Sequence, residues 1–337
     1  MATTQGVAEQ LPAQPRADGR ARARSLSAPL AVETRGLRKE FGRRVAVANL
    51  TLAVPAGQVF GFLGPNGAGK STTVKMLVGL VRPTAGEGWL FGRPLGDTAA
   101  RRRLGFLPEL FRFHEWLRAE EFLDFHASLH GIPRAERGRR IADTLALVGL
   151  EARARDPLRT FSKGMLQRIG IAQALIADPD LVILDEPTSA LDPIGRRDVR
   201  DLIRRLRDRG TAVFLNSHLL SEVEMVCDRV AILDRGRVVR QGALSELARG
   251  TLEAEVRVGA APPPLVQALE ARWPVVSRRP PVDGAAWWTL RLAIEDEADL
   301  PRIADLVVRS GERLHALIPH HTTLEDLFVQ AVETRDA

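Results

Sequence analysis

Short apolar runs separated by turn residues dominate much of the chain and predict strands. At residues 31–34 and 45–54 apolar and polar positions alternate, which is typical of antiparallel strands with one covered face. Other runs are apolar without a break, as expected for parallel strands buried on both faces. These unbroken runs occupy residues 59–63, 181–184 and 212–215.

A helical period replaces this pattern from residue 110 to about residue 160. Apolar side chains recur three or four positions apart, and Gly131–Pro133 divides the segment into two predicted helices. The apolar positions are Phe122, Phe125, Leu129, Ile141, Leu145 and Val148. A further helix is predicted to run to Ile176 from Ser162, whose hydroxyl suits an N-cap. We therefore expect a helical subdomain over about 110–165.

The two ends of the chain differ from this middle part. After Gly250 the pattern is strand, helix, strand, strand, helix, strand, which predicts a small ferredoxin-like α+β domain, and a last helix is predicted over 323–332. The opening residues mix Gln, Ala, Pro, Gly and Arg without an apolar period. We expect a disordered arm at 1–29, a main domain at 30–249 and an accessory domain at 250–337.

A glycine-rich loop joins the apolar run at 59–63 to the next helix. Its residues are Gly64, Pro65, Asn66, Gly67, Ala68, Gly69, Lys70, Ser71 and Thr72. This spacing matches the loop that binds nucleotide phosphates when it follows a strand and opens a helix. The glycines let successive backbone N–H groups converge on phosphate oxygens, and the helix dipole adds positive potential. In such a loop Lys70 reaches the β- and γ-phosphates, and the Ser71 hydroxyl binds Mg²⁺.

Two later strands end on polar residues suited to the same chemistry. The run at 181–184 closes on Asp185 and Glu186, and the run at 212–215 leads to His218. The carboxyl ends of parallel strands share one sheet edge, where α/β folds bind their ligands. Asp185 can hold Mg²⁺, Glu186 can take a proton from an attacking water, and His218 can contact the γ-phosphate.

Composition narrows the class of protein without identifying it. The chain has 337 residues, of which 45% are apolar and 27% charged, as is ordinary for a soluble protein of about two domains. No apolar stretch approaches the roughly 18 residues that span a bilayer, and no signal-peptide pattern opens the chain, so we expect a cytoplasmic protein. A single cysteine, Cys227, excludes an internal disulfide. The net charge of +6 favours acidic partners, but an arginine-rich composition explains it equally well.

With these motifs in order, the region from about residue 30 to 246 resembles the nucleotide-binding subunit of an ABC transporter. The resemblance implies an α/β fold, a P-loop NTPase core of ABC type whose mixed sheet carries an antiparallel β subdomain and a helical subdomain. It makes Asp185 the Mg²⁺-associated acid, Glu186 the catalytic base and His218 the switch histidine. It also makes Ser189–Asp192 the D-loop.

Some positions depart from the family pattern. Phe41 stands where the aromatic that stacks on the base is usually tyrosine, and by itself this residue fits core packing as well. The signature Leu-Ser-Gly-Gly-Gln reads Phe161–Met165 here and keeps Ser162 and Gly164, which would face a γ-phosphate across a dimer. Glu109 stands at the position of a Mg²⁺-linked glutamine. The last two departures resemble the exporter branch often called ABC-2 type.

The resemblance implies ATP and Mg²⁺ as ligands. The residues that it assigns to ATP are Phe41, Gly64, Pro65, Asn66, Gly67, Ala68, Gly69, Lys70, Ser71, Thr72, Glu109, Ser162, Gly164, Asp185 and Asp192. The residues that it assigns to Mg²⁺ are Ser71, Glu109 and Asp185.

The resemblance also implies partners and a location. A second copy or a related ATPase subunit would complete each ATP site, and separate integral-membrane permease subunits would hold the chain at the inner face of the cell membrane. No nucleic acid is expected. The first alternative is a soluble ABC-type ATPase acting on nucleic acid or ribosomes, but that class usually has tandem modules, a long coiled coil or zinc-binding cysteines. The second alternative, a non-catalytic nucleotide-binding scaffold, is disfavoured because Glu186 and His218 are both present.

Overall fold

The structure is a computed structural model that describes residues 29–189, 191–247, 252–281, 287–320 and 323–333. Residues 1–28 of the predicted N-terminal arm, Ala190 of the D-loop and the junction at 248–251 lie outside the described residues. The division of the chain into an arm and two domains therefore stays a prediction.

The described residues up to Leu147 form six strands and four α-helices. In chain order these are β1 (Leu30–Phe41), β2 (Arg44–Pro55), β3 (Val59–Leu63), α1 (Lys70–Leu77), β4 (Ala85–Leu90), β5 (Arg93–Pro94), α2 (Thr98–Arg102), β6 (Leu104–Leu107), α3 (Ala119–Leu129) and α4 (Arg134–Leu147).

Two short 3-10 helices come next, at Glu151–Arg153 and Leu158–Thr160, and the remaining described strands and α-helices follow them. They are α5 (Lys163–Leu175), β7 (Leu181–Asp185), α6 (Pro193–Asp208), β8 (Ala212–Asn216), α7 (Leu220–Val226), β9 (Arg229–Asp234), β10 (Arg237–Ala243), α8 (Leu244–Leu247), β11 (Leu252–Val258), α9 (Pro263–Glu270), β12 (Val275–Arg279), β13 (Trp288–Ile294), α10 (Asp299–Arg309), β14 (Leu314–His320) and α11 (Leu324–Glu333).

A large mixed sheet organises the main part of the chain. Its strand order is β5-β4-β1-β2-β10-β9-β3-β8-β7-β6, with parallel pairing among β3, β6, β7, β8 and β9. The alternating runs form the antiparallel part, and the unbroken apolar runs form β3, β7 and β8, in which every residue is buried. The predicted α/β class with an antiparallel subdomain is confirmed.

Apolar side chains on the two faces of this sheet form two separate cores. On one face Phe214 of β8 packs between Phe60 and Phe62 of β3, with ring centroids 5.7 and 5.2 Å apart. The other face buries Leu63 and Leu184 against α3, α5, α6 and α7. Burial on both faces leaves the strand ends as the places where these strands can present polar groups.

The helical subdomain begins later than the sequence period indicates. Residues 110 to 118 precede α3 without forming a helix. Phe111 and Phe113 pack their rings edge to face against each other and against the core, and this two-residue spacing belongs to extended backbone rather than to a helix. Helix α3 starts where the Glu121 side chain accepts a hydrogen bond from the Arg118 backbone N–H. The break at Gly131–Pro133 occurs as predicted.

The last part of the chain forms a small antiparallel sheet. Its order, β12-β13-β11-β14, together with α9 and α10 on one face, is the predicted ferredoxin-like arrangement. Helix α11 then packs against α7 and β9 of the main part, where Leu324 is 1% exposed. The sequence predicts this helix but not its partner. Within the described residues, no helix combines the length and apolar character needed to cross a bilayer.

Candidate nucleotide site

The glycine-rich loop adopts a conformation that its glycines alone allow. Gly69 has φ +107°, and a Cβ there would lie 2.5 Å from the Ala46 carbonyl oxygen. Gly64 has φ +159°, and a Cβ there would lie 2.3 Å from the Leu233 carbonyl oxygen. Since side chains at these positions would clash with backbone, the loop can pass close to β2 and β9 only with glycine.

Lys70 opens α1 and is held over the loop. Its buried Nζ donates to the carbonyl oxygens of Gly64, at 2.6 Å, and Pro65, at 3.2 Å. Burial lowers the pKa of Lys70, while the negative charges of three nearby carboxylates oppose that shift. These carboxylates belong to Glu186, Asp185 and Glu109. The lysine and the predicted acidic residues therefore share one electrostatic environment.

Asp185 ends β7 next to a partner that the sequence did not reveal. Burial raises the pKa of Asp185, and a hydrogen bond from the side-chain amide of Asn216 opposes that rise. Asn216 ends β8 directly opposite Asp185 in the strand register, and it is 2% exposed. The register of two predicted strands was the only sequence signal that could have paired these residues.

Glu186 takes an unusual backbone conformation immediately after β7. Its φ of +52° is rare for a residue with a side chain, and such conformations cluster at functional sites. Its backbone N–H donates to the Asn216 carbonyl oxygen at 2.9 Å, which fixes the turn. His218 Nδ1 lies 2.8 Å from Glu186 Oε2, at ion-pair distance but without hydrogen-bond alignment. The structure thus brings the two predicted catalytic residues together.

Phe41 lies at the mouth of a cleft of about 380 Å³ above the phosphate loop. Phe41 is 51% exposed, and Lys39 Nζ lies 4.9 Å from the centroid of its ring. The position favours a flat ligand over core packing, because a core aromatic would be covered. The cleft is lined by Phe41, Arg44, Val45, Ala46, Asn66, Gly67, Gly69, Lys70, Ser71 and Thr72. Arg44 was not predicted from the sequence.

The signature residues line a second cleft, of about 390 Å³. Ser162 caps α5 by accepting from the Met165 backbone N–H at 3.3 Å, and Asp192 caps α6 by accepting from the Gly195 N–H at 2.7 Å. A Cβ on Gly164 would meet no atom nearer than 3.8 Å, so this glycine leaves open space at the start of α5. Among the described residues, no lining residue is common to this cleft and the phosphate-loop cleft.

The donor set suits Mg²⁺ only in company with phosphate. The described residues contain no group of three His, Cys, Asp or Glu side chains that could hold a metal ion alone. Ser71, Asp185 and Glu109 supply one hydroxyl and two carboxylates, and Mg²⁺ is commonly held by one or two carboxylates with waters and substrate phosphates completing its shell. The residues present therefore fit the ion that a nucleotide brings with it.

The glycine-rich loop joins β3 to α1, and carboxylates lie at the ends of neighbouring parallel strands. This arrangement defines a P-loop nucleotide triphosphatase. The family model described as ABC transporter matches residues 47–189. An uncharacterised ABC transporter ATP-binding protein of Nostoc is 46% identical over 228 residues, which are 65% of this chain and 68% of the relative. The chain therefore belongs to the family of ABC transporter ATP-binding proteins.

Other relatives agree with this family. An uncharacterised ABC transporter ATP-binding protein of Synechocystis is 50% identical over 200 residues, which are 59% of this chain and 56% of that protein. The daunorubicin/doxorubicin resistance ATP-binding protein of Streptomyces peucetius is 42% identical, over 64% of this chain and 66% of its own length. The alignments thus span about half to two thirds of these relatives.

A solved structure supports the same fold. The dimer of an ATP-binding cassette in a post-hydrolysis state, bound to ADP and Pi, is 28% identical, with a TM-score of 0.57. The match covers 63% of this chain and 98% of that one. The predicted family and the ATPase class are therefore confirmed, whereas the roles of the individual site residues stay predictions.

Proposed function

We propose that two copies of the chain, or one copy and a related subunit, hydrolyse ATP at shared sites and thereby drive a membrane exporter. The observation that carries this proposal is the separation of the two clefts. One chain carries both the phosphate loop and the signature residues, but they line different cavities. A single site that uses both sets of residues therefore needs a second chain to bring them together.

The phosphate-loop cleft would hold most of the ATP. Phe41 would stack on the base, and backbone N–H groups at the start of α1 would bind phosphate oxygens with the help of the helix dipole. The Lys70 ammonium would exchange its two carbonyl contacts for the β- and γ-phosphates. Ser71, Asp185 and Glu109 would hold Mg²⁺, which neutralises phosphate charge when bound.

Hydrolysis would use the pair at the sheet edge. A water oxygen bonds to the γ-phosphorus as the bond to the β–γ bridging oxygen breaks, and the water proton passes to the Glu186 carboxylate. Glu186 is 9% exposed, which keeps the accepting oxygens out of bulk solvent. His218, 2.8 Å from that carboxylate, would orient the water and the γ-phosphate.

The signature cleft would complete the site of the other chain. The start of α5 presents the Ser162 hydroxyl and free backbone N–H groups, and Gly164 leaves room for a phosphate to approach them. A γ-phosphate bound by both chains holds them together, and its release weakens the interface. Such a change in closure is a movement that a membrane partner can use.

An exposed apolar surface supports a membrane partner. Leu110, Trp116 and Leu129 are largely exposed, and Phe125 is 45% exposed. The His114 ring contacts the rings of Trp116 and Phe125, with centroids 5.0 and 6.4 Å away. Contiguous apolar surface of this kind marks interaction sites. We propose that permease subunits dock here at the cytoplasmic face, close to Glu109. The drug-resistance name of the Streptomyces relative favours export as the direction.

Mixing two inactive variants tests the shared sites. Lys70→Ala removes the phosphate-loop lysine and Ser162→Arg blocks the signature cleft, so each variant alone should lose ATPase activity. In the mixture about half of the dimers are mixed, and each of those has one intact site, so about a quarter of wild-type activity should return. The control mixes Lys70→Ala with a Lys70→Ala, Ser162→Arg double variant. No recovery in mixed dimers that cross-linking has demonstrated would contradict the proposal.

A further inference from the structure

Helix α7 begins two residues after His218, so this histidine lies in the short link between β8, which ends at Asn216, and α7. It spans only seven residues, Leu220–Val226, and a helix this short is not stable in water without tertiary packing. The position of His218 against Glu186 therefore depends both on β8 and on whatever holds α7. Two other helices contact α7 from different parts of the chain.

Helix α6, which follows the D-loop, holds α7 through a charged pair. Arg200 Nη1 lies 2.8 Å from both carboxylate oxygens of Glu222, and the two side chains are 18% and 9% exposed. Arg204 Nη2 also donates to the Met225 carbonyl oxygen at 3.2 Å, in the last turn of α7. A partly buried, doubly hydrogen-bonded ion pair is geometrically specific, so it fixes α7 along its axis.

Helix α11 holds α7 from the end of the chain. Leu324 is buried in the same apolar core as Val223 and Val226 of α7, and its backbone N–H donates to Glu224 Oε1 at 3.3 Å. The start of α11 is itself well formed, because Thr323 and Asp326 exchange hydrogen bonds of 2.7 to 3.1 Å. A helix about a hundred residues away in the sequence thus continues the core beneath the switch histidine.

We propose that α11 is a positioning element for ATP hydrolysis, which clamps α7 and so sets where His218 meets Glu186. This inference rests on the site proposed above. Helix α11 packs against α7 and β9, and none of its described side chains lines the phosphate-loop cleft. Loosening this helix should therefore lower the turnover number and leave ATP binding intact. The small sheet precedes α11 in the chain and connects this helix to the main part. The proposal therefore gives the small sheet a role as well.

Cys227 provides a direct reporter of the clamp. It is the only cysteine in the sequence, it is the C-cap of α7, and it is buried. Burial raises the pKa of its thiol, so reaction with a disulfide reagent such as DTNB should be slow in the native protein. Any change that lets α7 open should speed this reaction, because local opening controls access to a buried group.

The test compares Leu324→Ala with Glu325→Ala in the full chain. Glu325 is exposed on the same helix, so its variant is a matched control for the change to alanine. Leu324→Ala should lower kcat roughly tenfold and speed DTNB labelling of Cys227 roughly tenfold, since lost packing of a buried leucine is large enough for both. The KM for ATP should stay within about twofold. Unchanged kcat and labelling, or a rise in KM equal to the loss in kcat, would overturn the inference.

Three further variants separate the ways in which the test can fail. Leu324→Met keeps most of the buried volume and should restore kcat, whereas simple misfolding of Leu324→Ala would appear as loss of the native circular dichroism spectrum. If Leu324→Ala misfolds, Leu324→Val is tested in its place. This variant should likewise lower kcat and leave the KM for ATP within about twofold. His218→Ala tests the site itself: if it retains wild-type kcat, the proposed site is wrong, and if it loses kcat while Leu324 variants do not, only the clamp is wrong.

Discussion

Phe41 shows how much a single position can reveal and how much only the structure adds. The sequence alone does not decide whether Phe41 stacks on a base or packs in the core. In the structure it ends β1 and is half exposed at the mouth of the phosphate-loop cleft. Side-chain exposure depends on where neighbouring strands lie, so no local pattern could decide between the two roles. Asn216 and Arg44 escaped prediction for the same reason.

Replacing Phe41 with alanine should therefore weaken ATP binding without changing the chemistry. Stacking of a base on an aromatic side chain contributes about 1–3 kcal/mol, so the KM for ATP should rise roughly five- to a hundredfold while kcat changes little. Phe41→Trp should bind ATP about as well as the wild type. Val276→Ala, which truncates an equally exposed apolar side chain on β12, serves as the control. Steady-state kinetics over a range of ATP concentrations would contradict the role if KM stayed constant.

The elements around the phosphate loop followed from the sequence because their signals are local. An apolar run predicts β3, the spacing of the glycines predicts the loop, and the residues after the loop predict the start of α1. Unbroken apolar runs predict β7 and β8. Residues 110 to 118 were wrongly included in a helix because their apolar side chains satisfy a helical period as well as an extended one. The docking of α11 on α7 could not be predicted, since nothing near Leu324 in the sequence specifies a partner about a hundred residues away.

Protonation of Asp326, in the first turn of α11, should make the protein less stable in acid. Hydrogen bonds from the Thr323 side chain and backbone hold the pKa of Asp326 below its usual value. A lowered folded-state pKa stabilises the native state above the unfolded-state pKa, and that contribution disappears as pH falls through the folded-state pKa. Asp326→Asn should cost at most about 1 kcal/mol at neutral pH, because the side chain is exposed, and this cost should disappear once the pH is below the folded-state pKa.

Urea unfolding of the two proteins at several pH values measures this difference. The free energies of unfolding should converge as the carboxyl group becomes protonated, and Glu325→Gln on the same helix should show a much smaller change. A constant gap between wild type and Asp326→Asn at all pH values would show that the carboxylate charge does not stabilise α11.

At the scale of the whole molecule, the two sets of residues that we propose to form an ATP site line separate clefts of the chain. The phosphate loop with Lys70, Asp185, Glu186 and His218 occupies one sheet edge, and Ser162 with Asp192 lines a separate cleft. The sequence predicted this division through family resemblance, since the order of motifs is preserved even where the signature is altered. Residue patterns within one chain do not encode contacts between chains, so the second chain and the permease remain proposals.

The most direct test of the shared site is the mass of Glu186→Gln in solution with and without ATP. The amide cannot accept the water proton, so turnover should fall at least about a hundredfold while ATP stays bound. Glu270→Gln, an exposed glutamate on α9, is the matched control. Light scattering after size-exclusion chromatography should show Glu186→Gln as a monomer alone and as a dimer with MgATP. A persistent monomer with ATP saturating its site would contradict the account.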